Sequence, residues 1–146
     1  MKIISYYIFI VICLAASACR YDKTFSGEIN EKGMRLQVSQ LKDDAGDQSI
    51  ISYKIRVIPN KQIADKQTVE EKRAMIFKMD SCFYINGHSN KTYAALVQSV
   101  ANGVGSSFEY LVEFDLNKSG LDKRSELVYQ DRYITHQTYK IKLDEE

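Results

Sequence analysis

The chain has 146 residues, 45% hydrophobic and 27% charged, a balance typical of one folded globular domain. Its 20 basic and 19 acidic side chains leave a formal charge of +1. Nucleic-acid binding requires clustered Lys and Arg, and the basic runs Lys72-Arg73 and Lys123-Arg124 are too short to supply it. We therefore expect no nucleic-acid partner.

Residues 1–18 have the features of an export signal. Lys2 gives a positively charged start, residues 3–16 are almost entirely apolar, and Ser17 and Ala18 are small. The apolar run is shorter than the roughly 20 residues that a bilayer-spanning helix needs. We expect a cleaved signal peptide here, with an uncleaved anchor helix as the alternative.

The segment Ala16-Ser17-Ala18-Cys19 resembles the lipobox of bacterial lipoproteins, with Ala16 where the commonest form has Leu. The resemblance implies that the leader is cut before Cys19 and that the Cys19 thiol carries a covalent lipid, which anchors the protein to a membrane. Because Arg20, and not Asp, follows the cysteine, the resemblance also implies the outer membrane. The domain is expected to face the periplasm, because residues 20–23 lack the acidic run of lipoproteins that are sent to the cell surface.

Residues 19–32 are polar and predict a lipidated N-terminus and tether, which leaves residues 33–146 as a single domain. In four later segments apolar residues alternate with polar ones, which predicts strands with one buried face. The alternating apolar residues are Met34, Leu36 and Val38; Tyr53, Ile55 and Val57; Phe108, Tyr110, Val112 and Phe114; and Tyr139, Ile141 and Leu143. In the third segment Glu109, Glu113 and Asp115 are expected to face water.

Further apolar runs predict less regular strands at residues 74–79, 82–85, 92–100 and 126–134. Asn102-Gly103 favours a two-residue hairpin turn between segments 92–101 and 104–115. Thr68 stands three residues before Glu71, the spacing of a capping box. Residues 62–72 are therefore expected to form a short surface helix or an ordered loop.

About seven strands, most of them with one polar face, and at most one short helix predict an all-β fold. An antiparallel β-sandwich of immunoglobulin-like or transthyretin-like type fits this pattern. A small β-barrel is the alternative.

A calcium loop is suggested by Asp115, Asn117, Ser119 and Glu126, with Gly120 at the turn position. Oxygen-bearing side chains at positions one, three, five and twelve resemble an EF-hand loop. Ser119 at position five, Asp122 at position eight and a preceding strand depart from that pattern and favour an ordinary connecting loop. Calcium is therefore a secondary expectation, and no other cofactor is expected beyond the covalent lipid.

Tyrosine is abundant, and it serves both cores and binding surfaces. Tyr53, Tyr110 and Tyr139 share the apolar faces of their strands and are expected in the core. Tyr93, Tyr129, Arg132 and Tyr133 are the candidates for an exposed binding patch.

Catalytic signatures are not evident in the sequence. Cys82 lies in an apolar run and is expected to be a buried, inert thiol. No nucleophile elbow, HExxH or CxxC motif occurs, so we do not expect an enzyme. The sequence favours a membrane-anchored module that binds or assembles with another envelope protein. An inhibitor of a cell-wall-degrading enzyme and a calcium- or small-ligand-binding module are the alternatives.

Overall fold

The computed structural model describes residues 26–42, 49–87, 90–101, 105–115, 117 and 125–143. Within these residues the chain forms nine strands in two antiparallel sheets, together with two helices. The sheets enclose one apolar core, and neither closes into a barrel in this part of the chain. The predicted antiparallel β-sandwich is confirmed, with more strands and one more helix than expected.

Five strands form the larger sheet. They are β1 (Ser26–Glu31), β2 (Met34–Leu41), β3 (Ile50–Pro59), β6 (Leu96–Val100) and β7 (Phe108–Asp115). Their order across the sheet is β1-β2-β3-β7-β6, and every neighbouring pair is antiparallel. Strands β1 and β6 are therefore its two edges.

Four strands form the smaller sheet. They are β4 (Phe83–Asn86), β5 (Lys91–Tyr93), β8 (Glu126–Gln130) and β9 (Thr138–Lys142). Their order is β5-β4-β8-β9, again antiparallel throughout, so β5 and β9 are the edges.

Two helices connect β3 to β4. Helix α1 (Lys61–Ala64) begins at Asn60, whose side chain accepts a hydrogen bond from the N–H of Ile63. Helix α2 (Val69–Phe77) begins at Thr68, and the predicted capping box is present. The Thr68 hydroxyl accepts a hydrogen bond from the Glu71 N–H, and the Glu71 carboxylate accepts one from the Thr68 N–H.

The strand predicted at residues 74–79 is wrong, because α2 continues through this segment to Phe77. Once the capping box has started the helix, helical spacing places Ala74 and Met75 together on the face that packs into the core. The apolar run that resembles a strand is thus the buried face of a helix followed by its exposed end.

The core is built from the alternating residues that the sequence predicts. Tyr53, Tyr110 and Tyr139 are buried, as expected. Aromatic rings connect the two sheets: Phe83 lies 5.4 Å from Tyr110 and 5.1 Å from Tyr129 between ring centroids. The Tyr110 hydroxyl donates a hydrogen bond of 2.7 Å to the carbonyl oxygen of Met75, which joins α2 to the sheet.

The N-terminal boundary of the domain differs from the prediction. Residues 26–31, predicted as part of the tether, form β1, and all six of them pair with β2. The turn between them consists of Lys32 and Gly33, with φ of 51° and 78°. Positive φ at both turn residues characterises the tight type I′ turn, so the local geometry favours a hairpin where composition alone indicated a polar linker.

Two other predicted strands have different limits. The run 92–100 is divided between the sheets, because the Ala94 N–H donates to Phe83 in the smaller sheet and the Ala95 N–H donates to Glu113 in the larger one. The run 126–134 ends its strand at Gln130. The predicted β6–β7 hairpin is present, but its connection spans residues 101–107 and is longer than a two-residue turn; residues 102–104 lie outside the described residues.

Candidate functional site

Strand β6 is an open edge of the larger sheet. It pairs with β7 on one side, and in the described part of the chain no strand pairs with its other side. An unpaired strand edge presents backbone N–H and C=O groups that can bond another strand. The backbone of Leu96–Val100 on the side away from β7 is called the β6 edge below.

The other three edge strands in the described residues carry charged side chains. Strand β1 contains Glu28 and Glu31, β5 contains Lys91, and β9 contains Lys140 and Lys142. Charges on an edge discourage pairing with another chain. The sequence of β6, Leu-Val-Gln-Ser-Val, contains neither a charged residue nor proline. The β6 edge is therefore the one edge among the four that lacks this protection.

Exposed apolar side chains lie beside the β6 edge. Leu96 is 41% exposed and Val100 is 40% exposed. Helix α2 adds Ile76 and Phe77, the latter 71% exposed at the end of the helix. Because α2 directs Ala74 and Met75 into the core, the helical spacing leaves Ile76 and Phe77 outside it.

These side chains line an open groove of about 850 Å³ between α2 and β6, called the edge groove below. Its walls include Lys72, Ile76, Phe77, Leu96, Val100 and Phe108. An extended segment lying here can bond the β6 backbone and place alternate side chains in the groove. The arrangement suits strand addition by a peptide or a protein segment.

Glu109 also lines the edge groove, and its environment differs from the prediction. The alternation pattern predicts that Glu109 faces water. The residue does lie on the outer face of the sheet, but it is only 5% exposed. The Lys54 ammonium lies 2.9 Å from one carboxylate oxygen, and the Arg56 guanidinium binds the other at 2.7 and 3.0 Å. The hydrogen bond from Lys54 and the bonds from Arg56 lower the pKa of Glu109, against the opposing effect of burial.

The predicted aromatic patch is not assembled as expected. Tyr129 is fully buried, with its ring stacked on those of Phe83 and Tyr139, so its assignment to an exposed patch is wrong. Tyr93 is exposed on β5 and contacts the ring of Tyr84. Arg132 is exposed on the loop 131–137, where the hydroxyl of the partly buried Tyr133 donates to the Lys78 carbonyl.

A buried carboxylate explains why Tyr129 points inward. Asp131 accepts hydrogen bonds from the Tyr129 hydroxyl and from the backbone N–H groups of Tyr133, Ile134 and Thr135. The Thr135 hydroxyl donates to it as well. Asp131 thereby organises the loop 131–137 around its own carboxylate, which is a structural role.

The first and last residues of the predicted calcium loop lie in different sheets. Asp115 ends β7 in the larger sheet, where its carboxylate accepts a hydrogen bond of 3.0 Å from the Asn117 N–H. Glu126 begins β8 in the smaller sheet, and its carboxylate lies 3.4 Å from the ammonium of Lys140. Ser119 lies outside the described residues. Among the residues that are described, no cluster of His, Cys, Asp and Glu could hold a metal ion.

The structure tests the prediction for Cys82 but not the prediction for Cys19. Cys82 is fully buried, and burial raises the pKa of its thiol to about 11, opposed by the charge of Arg132. The predicted buried thiol is confirmed. Cys19, with the leader and lipobox-like segment, lies outside the described residues. In the described part of the chain, neither helix is long and apolar enough to cross a bilayer.

Sequence reasoning missed the edge groove because its walls come from distant segments. The sequence does contain a signal for it in Ile76-Phe77, an apolar pair that follows the buried residues of α2.

No family model matches the chain, and no curated protein or solved structure is significantly similar to it.

Proposed function

We propose that this chain is a lipid-anchored lipoprotein of the bacterial cell envelope that binds a partner protein by strand addition at the β6 edge. One observation carries the binding part of the proposal: the uncharged edge of β6 lies directly beside the apolar edge groove. Backbone bonds from the edge supply affinity, and the groove supplies selectivity for side chains. The role is one of binding or assembly, not catalysis.

The membrane part of the proposal is supported by the leader and by Cys19 in its lipobox-like setting. Strand β1 begins at Ser26, so seven residue steps separate Cys19 from the folded domain. At the extended-chain limit of about 3.5 Å per residue, this link reaches about 25 Å. A lipid on Cys19 would therefore hold the start of β1 within about 25 Å of the membrane surface, with the β6 edge at the opposite side of the larger sheet, where an envelope partner is within reach. The outer membrane, with the domain in the periplasm, is the proposed location.

Photo-crosslinking in cells tests the binding part. A benzoylphenylalanine at Val100 should give a discrete crosslinked partner, whereas the same probe at Leu41 should not. Leu41 is a matched control because it is an apolar residue of the same sheet with 38% exposure, against 40% for Val100. The exposed change Gln98→Lys adds a charge to the β6 edge and should abolish the crosslink at Val100. Equal crosslinking at Val100 and Leu41, insensitive to this change, would refute binding at the β6 edge.

Lipidation is tested separately. Replacing Cys19 by Ala should leave the precursor unprocessed and free of palmitate label, with Cys13→Ala as the control that retains both. If Cys19→Ala leaves processing, labelling and membrane fractionation unchanged, the anchor is not at Cys19.

A further inference from the structure

The two charged side chains that line the edge groove differ in whether they have an ion-pair partner. In the described part of the chain the charged residues of its walls are Lys72 and Glu109. Both carboxylate oxygens of Glu109 are already bound, one by Lys54 and the other by Arg56. Lys72 is an exposed residue of α2, and its ammonium has no ion-pair partner among the described residues.

Glu109 therefore does not oppose an incoming acidic group. Lys72 is therefore the cation of the groove wall that has no bound counter-charge among the described residues, and it lies beside the apolar side chains of Ile76 and Phe77.

We infer that the segment bound at the β6 edge is an extended peptide with apolar side chains at alternate positions and one acidic side chain facing Lys72. The inference rests on the proposed use of the β6 edge and adds the chemistry of the occupant. Successive side chains of an added strand point to opposite faces, so every second one enters the groove between β6 and α2.

The two faces of the added strand meet different surroundings. On the side of α2, apolar side chains contact Ile76, Phe77 and Phe108, and the acidic side chain is drawn to Lys72. On the outer side, the intervening side chains lie beside the partly exposed Leu96 and Val100, which form the part of the groove wall on the outer face of the sheet. The side of the segment that faces α2 is thus expected to be apolar apart from the acidic residue, which fixes its register.

Selection from a displayed library of random twelve-residue peptides tests this inference. The full-length protein in detergent is the target, as wild type, as Lys72→Glu and as the matched control Arg73→Glu. Arg73 is the neighbouring exposed cation of α2, and it is not among the residues that line the groove. Wild type and Arg73→Glu should enrich alternating apolar peptides that contain Asp or Glu, and Lys72→Glu should enrich Lys or Arg instead.

A synthetic peptide of the enriched sequence then gives the magnitude by calorimetric titration. Exchanging its acidic residue for Lys should weaken binding to the wild type by about two- to fivefold, the range of an exposed ion pair. The same exchange should strengthen binding to Lys72→Glu.

The outcomes separate this inference from the function on which it rests. Apolar peptides with no preference for acid, whose binding is lost in Gln98→Lys, would overturn the acidic occupant and leave strand addition at β6 standing. A dimer of this chain that is lost in Gln98→Lys, with no peptide enriched, would also overturn it in favour of a second copy. If no enriched peptide is sensitive to Gln98→Lys and no such dimer forms, binding at the β6 edge itself fails.

Discussion

Arg56 binds a single oxygen of Glu109 through two guanidinium nitrogens, Nε at 3.0 Å and Nη2 at 2.7 Å. The two residues are directly opposite each other in the register of β3 and β7. Cross-strand pairing thus places a guanidinium over a carboxylate on a face that the alternation pattern assigns to solvent. The result is a buried acid on the outer surface of the sheet, next to the edge groove.

The first prediction concerns this carboxylate. Glu109→Gln should reduce the free energy of unfolding at pH 7 by about 1–2 kcal/mol, because charge-assisted hydrogen bonds are lost while the two cations stay partly solvated. The pKa of Glu109 in the fold lies below its ordinary value of 4.5. Its contribution is therefore complete above that pH and is lost as the pH falls through the lowered pKa. Urea unfolding between pH 7 and pH 3 measures both effects.

Glu113→Gln is the matched control, since Glu113 lies on the same strand and the same outer face but is more exposed. The acid-induced loss of stability should be smaller in Glu109→Gln than in the wild type and unchanged in Glu113→Gln. An identical pH profile in all three proteins would contradict a stabilising role for the Glu109 ion pairs.

The second prediction concerns the turn at Gly33. Gly33→Ala should destabilise the fold by about 1–2 kcal/mol, because an alanine at positive φ is strained. Its Cβ would also lie 2.5 Å from Cδ1 of Ile63 in α1. Gly105→Ala is the control, since nothing lies within 4 Å of a Cβ there. Thermal unfolding of the two variants should differ clearly, and equal melting temperatures would show that the turn relaxes without cost.

The third prediction concerns the loop 131–137. Asp131→Asn should reduce the free energy of unfolding by about 2–3 kcal/mol, because one acceptor oxygen is replaced by an amide donor that faces N–H and O–H donors. Asp80→Asn, at an exposed position, should change it by less than about 0.5 kcal/mol. Chemical denaturation monitored by tyrosine fluorescence measures both. A neutral result for Asp131→Asn would mean that the loop is held by other contacts.

The fourth prediction concerns the thiol of Cys82. With a pKa of about 11 and no exposed surface, it should resist iodoacetamide at pH 8 in the folded protein and react once urea unfolds the chain. Mass spectrometry of the peptide that contains Cys82 distinguishes it from the other two cysteines. Rapid alkylation in native buffer would indicate that the core around β4 opens readily.

Local sequence patterns predicted much of the fold. Alternation identified the buried faces of β2, β3, β7 and β9, since side chains that point to one side of a strand repeat every second residue. The spacing of Thr68 and Glu71 identified the start of α2, because a capping box is formed within four residues of the chain. Such features depend on neighbours in sequence, and they are therefore visible without a structure.

Other features of the fold depend on which distant segments of the chain pack against each other. The sequence of residues 74–79 is compatible with a strand or a helix; in the fold it continues α2 as far as Phe77, and the Tyr110 hydroxyl of β7 binds the Met75 carbonyl of that helix. Tyr129 has the amphipathic character of a surface residue, but the carboxylate of Asp131 and two stacked rings hold it inside. The alternation pattern predicts that Glu109 faces solvent, and only the fold shows that Lys54 and Arg56 of β3 bind its carboxylate.

The amino-acid sequence by itself determined the strand-rich fold class and the burial of Tyr53, Tyr110, Tyr139 and Cys82, because these follow from composition and short-range periodicity. Only the tertiary structure decided which strand is left at an open edge and that α2 lies beside it. The order of strands in a sheet is set by contacts between residues far apart in the chain, and no local pattern encodes it. The edge groove between β6 and α2 is a consequence of that order.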